Sequence, residues 1–361
     1  MYITILFIVL IVLAVLAFFE DDEIQAQTWL LVVVAVVLTL CAALRPEGVD
    51  KDYTSYLGYY TNPETGMALL TEPTFKYICS IARFLEFPLF IFIIYALLAV
   101  PLKVYSVVRL TPLWYMSILV WFSHLYIVQD LTQIRVAVAA TVYLFALPYL
   151  IDGRRWRFLL CIIVAILFHY SALFLLPICF FGNKPMVRWK WMLLYILPFL
   201  CYFTSLIGIE LLYRVPIPFI QEKIVVYEEM IKYADMFSEL NKFNIMALFR
   251  LFTYYMLLWK CNTIAKVYPN MSIVLKIMCY SICIYSALSF FPVFAVRAQE
   301  LIGVIDFVAF PLLALAFRPN WFGRLAVILY AMGVFLADMF LYGYLKFDAG
   351  IYPIILFAIE K

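Results

Sequence analysis

Apolar runs of roughly bilayer-crossing length follow one another down this chain, and that pattern limits the fold more than any motif does. A spanning helix takes about twenty predominantly apolar residues. Runs near that length occupy 2–19, 28–44, 88–107, 112–128, 134–150, 157–181, 192–209, 243–259, 271–291, 299–317 and 321–341. Hydrocarbon offers the backbone no hydrogen bonds, so a spanning element satisfies its own, as a helix does. Hydrophobic residues make up 67% of the chain and charged residues 14%, against about half and about a quarter in a soluble domain. The expected fold is therefore all-α, a polytopic integral membrane helical bundle of about 10–12 transmembrane segments. It forms a single transmembrane domain over 1–361, with the longest polar interruptions at 45–87 and 210–242. The net charge of +3 is too small to imply nucleic acid.

The first run lacks the positively charged stretch that precedes a cleaved signal, so it reads as the first span. The cysteines lie almost entirely within apolar runs, without a CxxC or a Cys/His cluster. Cys279 and Cys283 share a helix face, which reads as packing. Neither a metal site nor a disulfide framework is expected.

Lys and Arg in short loops favour the cytoplasm. Arg154, Arg155 and Arg157 place one connection inside, and Lys103 with Arg109, Lys260 with Lys266, and Arg318 with Arg324 read as further cytoplasmic clusters. Segments 45–87, 129–133 and 210–242 then face outward. The first connection, with Glu20, Asp21, Asp22 and Glu23, is cytoplasmic by parity although it carries no base. One run conflicts with this threading. Lys184, Arg188 and Lys190 also belong inside, yet a single span over 157–181 would put them outside. A break near Phe168-His169-Tyr170-Ser171 resolves the conflict, because two short helices then enter and return. Twelve residues at 1.5 Å each reach roughly 18 Å, which sets the break toward the outer leaflet, where irregular backbone must be buried or line a wet cavity.

Ionisable groups inside a membrane are costly, about 2.5–3.5 kcal/mol each at a helix centre, and so become functional candidates. Arg135 opens the run 134–150 and His169 sits at the proposed break. A snorkelling interfacial arginine and a structural histidine are the plain alternatives. His124 reads as structural. Arg297 and Glu300 open a late span, where an i,i+3 pair is the plain alternative. The first outer segment carries Arg45, Asp50, Asp52, Tyr53, Tyr56 and Glu72. Segment 210–242 reads as an amphipathic surface helix. No P-loop, GxSxG or HExxH motif occurs.

Arg45-Pro46-Glu47-Gly48-Val49-Asp50, followed by Tyr53 and Tyr56, resembles a stretch of the EpsG-like membrane proteins, which group with the Wzy-type exopolysaccharide and O-antigen polymerases. Glu72-Pro73-Thr74-Phe75, Gln133-Ile134-Arg135 and Phe168-His169-Tyr170-Ser171-Ala172-Leu173 are similar to further motifs of that family, in the same order. Ala298-Gln299-Glu300 after Arg297 departs from its more aromatic pattern. The resemblance implies a GT-C-like glycosyltransferase architecture in a bacterial inner membrane, with the active site facing the periplasm or cell exterior. It implies transfer of an undecaprenyl-pyrophosphate-linked glycan onto a lipid-linked repeat unit, without a cofactor or metal. Membrane lipids surround such an enzyme, and a flippase and a chain-length regulator are the implied protein partners. Arg135 and then Arg297 are the implied pyrophosphate ligands, because a planar guanidinium suits a diphosphate. Asp50, Glu72 and His169 compete as the base, and Arg45, Tyr53, Tyr56, Gln133, Tyr170, Ser171 and Glu300 are the expected substrate-lining residues. An O-antigen-ligase-like transfer, a lipid-linked oligosaccharide flippase and a histidine-dependent acyltransferase are the competing readings.

Overall fold

The structure, a computed structural model, describes residues 1–64, 71–184, 188–203, 241, 243–289 and 292–346. Nearly all of segment 210–242, and the C-terminal run 351–359, lie outside the described residues. The protein is an all-helical, polytopic membrane protein. Among the described residues, Tyr2–Phe19, Leu89–Leu110, Ile134–Ile151, Phe294–Leu315 and Asn320–Phe340 are long and apolar enough to cross a membrane, and shorter apolar helices accompany them.

The chain divides into two compact units, one of residues 1–179 and 307–361 and the other of residues 180–306. The first contains α1 (Tyr2–Phe19), α2 (Thr28–Ala43), α3 (Tyr53–Thr61), α4 (Pro73–Phe84), α5 (Leu89–Leu110), α6 (Trp114–Ser123), α7 (Ile134–Ile151) and α8 (Arg155–Phe168). The second contains α9 (Arg188–Phe203), α10 (Ile245–Trp259), α11 (Met271–Ala287) and α12 (Pro292–Ile302). The first unit is completed by α13 (Asn320–Phe340).

Helix α7 packs between α5 and α8, and α5 also packs on α2. Ala137, Ala139, Ala140 and Ala146 of α7 are all buried, with Ala96 and Ala99 of α5. In lipid, where apolar burial gives little drive, small side chains let backbones approach and gain dispersion contact. Thr141 Oγ1 sits 3.2 Å from Ala99 O, a direct bond from α7 to the α5 backbone.

The acidic first connection has a structural use. Glu20 is buried and accepts hydrogen bonds from Tyr115 N at 3.1 Å and Met116 N at 3.2 Å, the first turn of α6. It thus satisfies donors that a helix N-terminus leaves open, and its charge suits the helix dipole. Gln25 donates to Pro112 O and Arg324 donates to Phe18 O, so these three connections meet at one end, as the threading parity requires. Glu20→Ala is expected to cost about 1 kcal/mol, the usual value of a lost cap, seen as a lowered unfolding midpoint of the purified protein.

Three sequence readings are corrected. Lys103 is not a loop charge: it lies within α5, fully buried, and its Nζ donates to Asp130 Oδ1 and Oδ2 at 2.9 and 2.7 Å. Asp130 is not a solvated loop acid: it belongs to a buried π-helical stretch, Tyr126–Thr132, that leads into α7. The run 112–128 is likewise not one helix, because α6 stops at Ser123 and His124 leaves helical geometry at φ −138°, ψ −70°.

The expected break in 157–181 is present. Helix α8 ends at Phe168, His169 is extended at φ −156°, ψ 121°, and a 3-10 helix follows over Tyr170–Phe180. Fourteen α-helical residues reach about 21 Å, short of a core about 30 Å thick. His169 is buried, which is the condition for tolerating irregular backbone at that depth. Thr74 Oγ1 of α4 donates to Leu167 O at 2.7 Å, satisfying one carbonyl of the last turn of α8.

Candidate active site

Glu72 is the centre of a polar cluster that joins three of the sequence motifs. It precedes Pro73, whose fixed φ suits the first helical position, and so stands at the N-cap of α4 with extended backbone at φ −67°, ψ 151°. Its carboxylate receives Nη1 of Arg135, in the first turn of α7, while His169 Nδ1 lies 2.9 Å from its Oε1. Tyr170 N also approaches Oε1, at 3.4 Å. Three separate elements therefore converge on one carboxylate: the α4 start, the α7 start and the α8 break.

Burial decides what this arrangement is. The Glu72 and His169 side chains are 4% and 8% exposed, and Arg135 is 20% exposed. Burial pushes the Glu72 carboxyl up, but the His169 contact and the Arg135 charge outweigh it and hold the group at about 2, below its usual 4.5. The carboxylate stays charged across the physiological range. Its contribution to stability is present above about 4.5 and is lost as pH falls toward 2. Arg135 is not fully used by this partner, since its Nε is buried with no hydrogen-bond partner. A buried guanidinium with an unsatisfied donor is suited to an incoming anion.

Aromatic rings wall the arginine. The Arg135 guanidinium lies 5.2 Å from the Phe75 ring centre and 5.9 Å from Tyr56. Tyr56 and Phe75 sit 5.6 Å apart, and Phe75, Tyr95 and Phe168 continue the layer toward the α8 break. Such faces hold a cation without neutralising it.

The other sequence candidates fall elsewhere. Arg45 Nε donates to Asp50 Oδ2 at 2.7 Å, with both side chains buried, and Arg45 stacks over Phe92 at 4.3 Å. Asp50 Oδ1 also accepts from Asp52 N. Tyr53 stacks on Phe92 at 4.4 Å, and Phe92, which also meets Tyr56, links the Arg45 pair to the aromatic layer. Gln133 supplies the bend at φ −93°, ψ 61° that starts α7 and accepts at its carbonyl from Ala137 N. Ser171 is half-buried in the 3-10 stretch after His169. Arg297 and Glu300 belong to α12 of the second unit, Arg297 exposed and Glu300 half-buried.

Sequence reasoning gave Phe75 no role, and its aromatic partner position after Glu72-Pro73 was the available signal. It also overlooked Arg250 of α10, which pairs with Asp306 at 2.5 Å and donates to Ser281 at 2.9 Å within the second unit. Among the described residues, no group of three or more His, Cys, Asp or Glu is placed to hold a metal ion.

A search of curated proteins finds no match, and neither does a search of solved structures. The family model of the EpsG family matches residues 28–356. That stretch takes in every motif from Arg45 to Arg297, and the chain belongs to the EpsG family.

Proposed function

We propose that the protein is a membrane polysaccharide polymerase that transfers an undecaprenyl-pyrophosphate-linked glycan onto a lipid-linked repeat unit at the outer face of the membrane. EpsG membership supports a polysaccharide-polymerase-like role in general. The observation that carries the finer reading is the convergence of Arg135, Glu72 and His169, a partly buried cation with an unsatisfied donor and an imidazole in contact with one carboxylate.

In this reading the acceptor hydroxyl oxygen bonds to the anomeric carbon of the donor, and the bond from that carbon to pyrophosphate breaks. Charge grows on the departing diphosphate, and Arg135 meets it in a site poor in water, where such stabilisation counts most. The hydroxyl proton goes to His169. Glu72 is a weak base at about 2, and Asp50 is already tied to Arg45. Glu72 instead fixes His169 through Nδ1, leaving Nε2 as the nitrogen that takes the proton, the usual division between an orienting carboxylate and an imidazole base. Two substrates held in one membrane plane also lose the translational freedom that opposes bimolecular reaction.

The test is purified protein in lipid nanodiscs with a synthetic undecaprenyl-pyrophosphate repeat unit. A ladder of longer lipid-linked glycans is expected. Vectorial transport of the substrate with no ladder would reverse the assignment.

A further inference from the structure

A second carboxylate–histidine pair lies in the same unit, outside the cluster just described. His124 Nδ1 is 2.7 Å from Asp338 Oδ2, with the His124 side chain 31% exposed and Asp338 fully buried. Asp338 Oδ1 has no hydrogen-bond partner. A buried carboxylate with an unsatisfied oxygen is expensive and is rarely kept for stability alone. His124 also ends α6 early, so the chain gives up continuous helix at this point.

The surroundings are built from two returning segments. After α13 the chain turns back through Gly343, whose φ of +54° suits glycine, and Tyr344 N bonds to Asp338 O at 3.1 Å. Residue 345 then pairs antiparallel with Asp50, and Lys346 N donates to Val49 O at 2.7 Å. This brings Tyr344 to 6.5 Å from the His124 ring, Tyr342 to 6.0 Å from Tyr344, and the Lys51 ammonium to 5.3 Å from Tyr344. Tyr342 and Lys51 are exposed.

We infer that His124, Asp338, Tyr342, Tyr344 and Lys51 form a carbohydrate-binding subsite that holds the acceptor glycan beside the transfer centre. Partly open tyrosine rings offer flat apolar faces with a polar tip, which suits the face of a pyranose. A histidine held by a carboxylate offers a fixed partner to a sugar hydroxyl, and the mixed charge of the cluster is unsuited to acyl chains. Position supports the same ligand. Asp50, paired with the C-terminal turn, and Tyr56, on the Arg135 guanidinium, are six residues apart in the chain, with Tyr53 to Tyr56 in one helical turn. That path spans about 15 Å at most, a reach of a few sugar units. The inference rests on the polymerase reading for its ligand.

Direct binding separates the two. The probe is a set of lipid-free oligosaccharides cut from the polysaccharide of the producing cell, titrated against the full chain in nanodiscs. Wild type is expected to bind, and His124→Gln and Tyr344→Ala to weaken binding about tenfold with unfolding midpoints matching wild type. Tyr344→Phe keeps the ring and should retain binding. Tyr105→Ala, which removes an exposed tyrosine of α5, is the surface control. Equal binding by wild type, His124→Gln and Tyr344→Ala overturns the subsite, as does equal weakening by Tyr105→Ala. A wild-type protein that builds the ladder without binding the fragments also overturns it. Fragment binding that His124→Gln weakens, with no ladder from wild type, upholds the subsite and sinks the polymerase reading.

Discussion

On the proposed reaction, Arg135→Lys is expected to lower the elongation rate by about a hundredfold to a thousandfold, the usual effect of removing one preorganised charge-stabilising donor. The substitution keeps a cation opposite Glu72, so the pair survives as a charge contact and the protein remains folded. What it removes is the planar fork. In the resting site Nη1 is committed to Glu72 and Nε is buried without a partner. A lysine ammonium that satisfies Glu72 lacks the second fixed donor that a diphosphate would meet. The loss belongs in kcat, since charge on the leaving group grows only as the bond breaks. Single-step elongation with a synthetic lipid-linked repeat unit measures it. Near-normal turnover would remove Arg135 from the leaving-group role and turn attention to the arginines of the second unit.

Much of that site was legible because membranes make polar residues conspicuous. Arg135 and His169 stand out against apolar runs, and Glu72 stands out once Pro73 marks a helix start. The break at His169 was also legible, from basic residues on both sides of one run. What the sequence did not carry was pairing. Asp50 and Glu72 are both carboxylates of the same outer segment, yet one is taken by Arg45 five residues away and the other by Arg135, 63 residues on. That outcome depends on how α3 and α4 pack under the aromatic layer, which no local pattern encodes. His124 is the same lesson in reverse. It looked structural inside an apolar run, and its partner Asp338 lies 214 residues further along.

The Lys103 misreading leads to the largest expected effect on stability. A lysine near the end of an apolar run and close to Arg109 looks like a cytoplasmic flank, but α5 continues to Leu110. Lys103 is then seven residues short of the helix end, about 10 Å inside it. It survives there only because Asp130 accepts two bonds from it, while Trp121 Nε1 donates to the same carboxylate at 2.9 Å and its ring faces the ammonium at 5.0 Å. Lys103→Met strands a fully buried carboxylate and is expected to cost about 3–5 kcal/mol, the range for breaking a buried pair from one side. Asp130→Leu strands the ammonium at similar cost. The double substitution leaves no unpaired charge, so it should recover most of that loss. Recovery stays incomplete, because the Trp121 N–H is then unsatisfied at about 1–2 kcal/mol. A double-substitution cycle on detergent-solubilised protein, read as unfolding free energy, gives a coupling of opposite sign to the single losses. Additive losses would mean that each charge finds water or another partner, and that the π-helical stretch leading into Arg135 is anchored by packing alone.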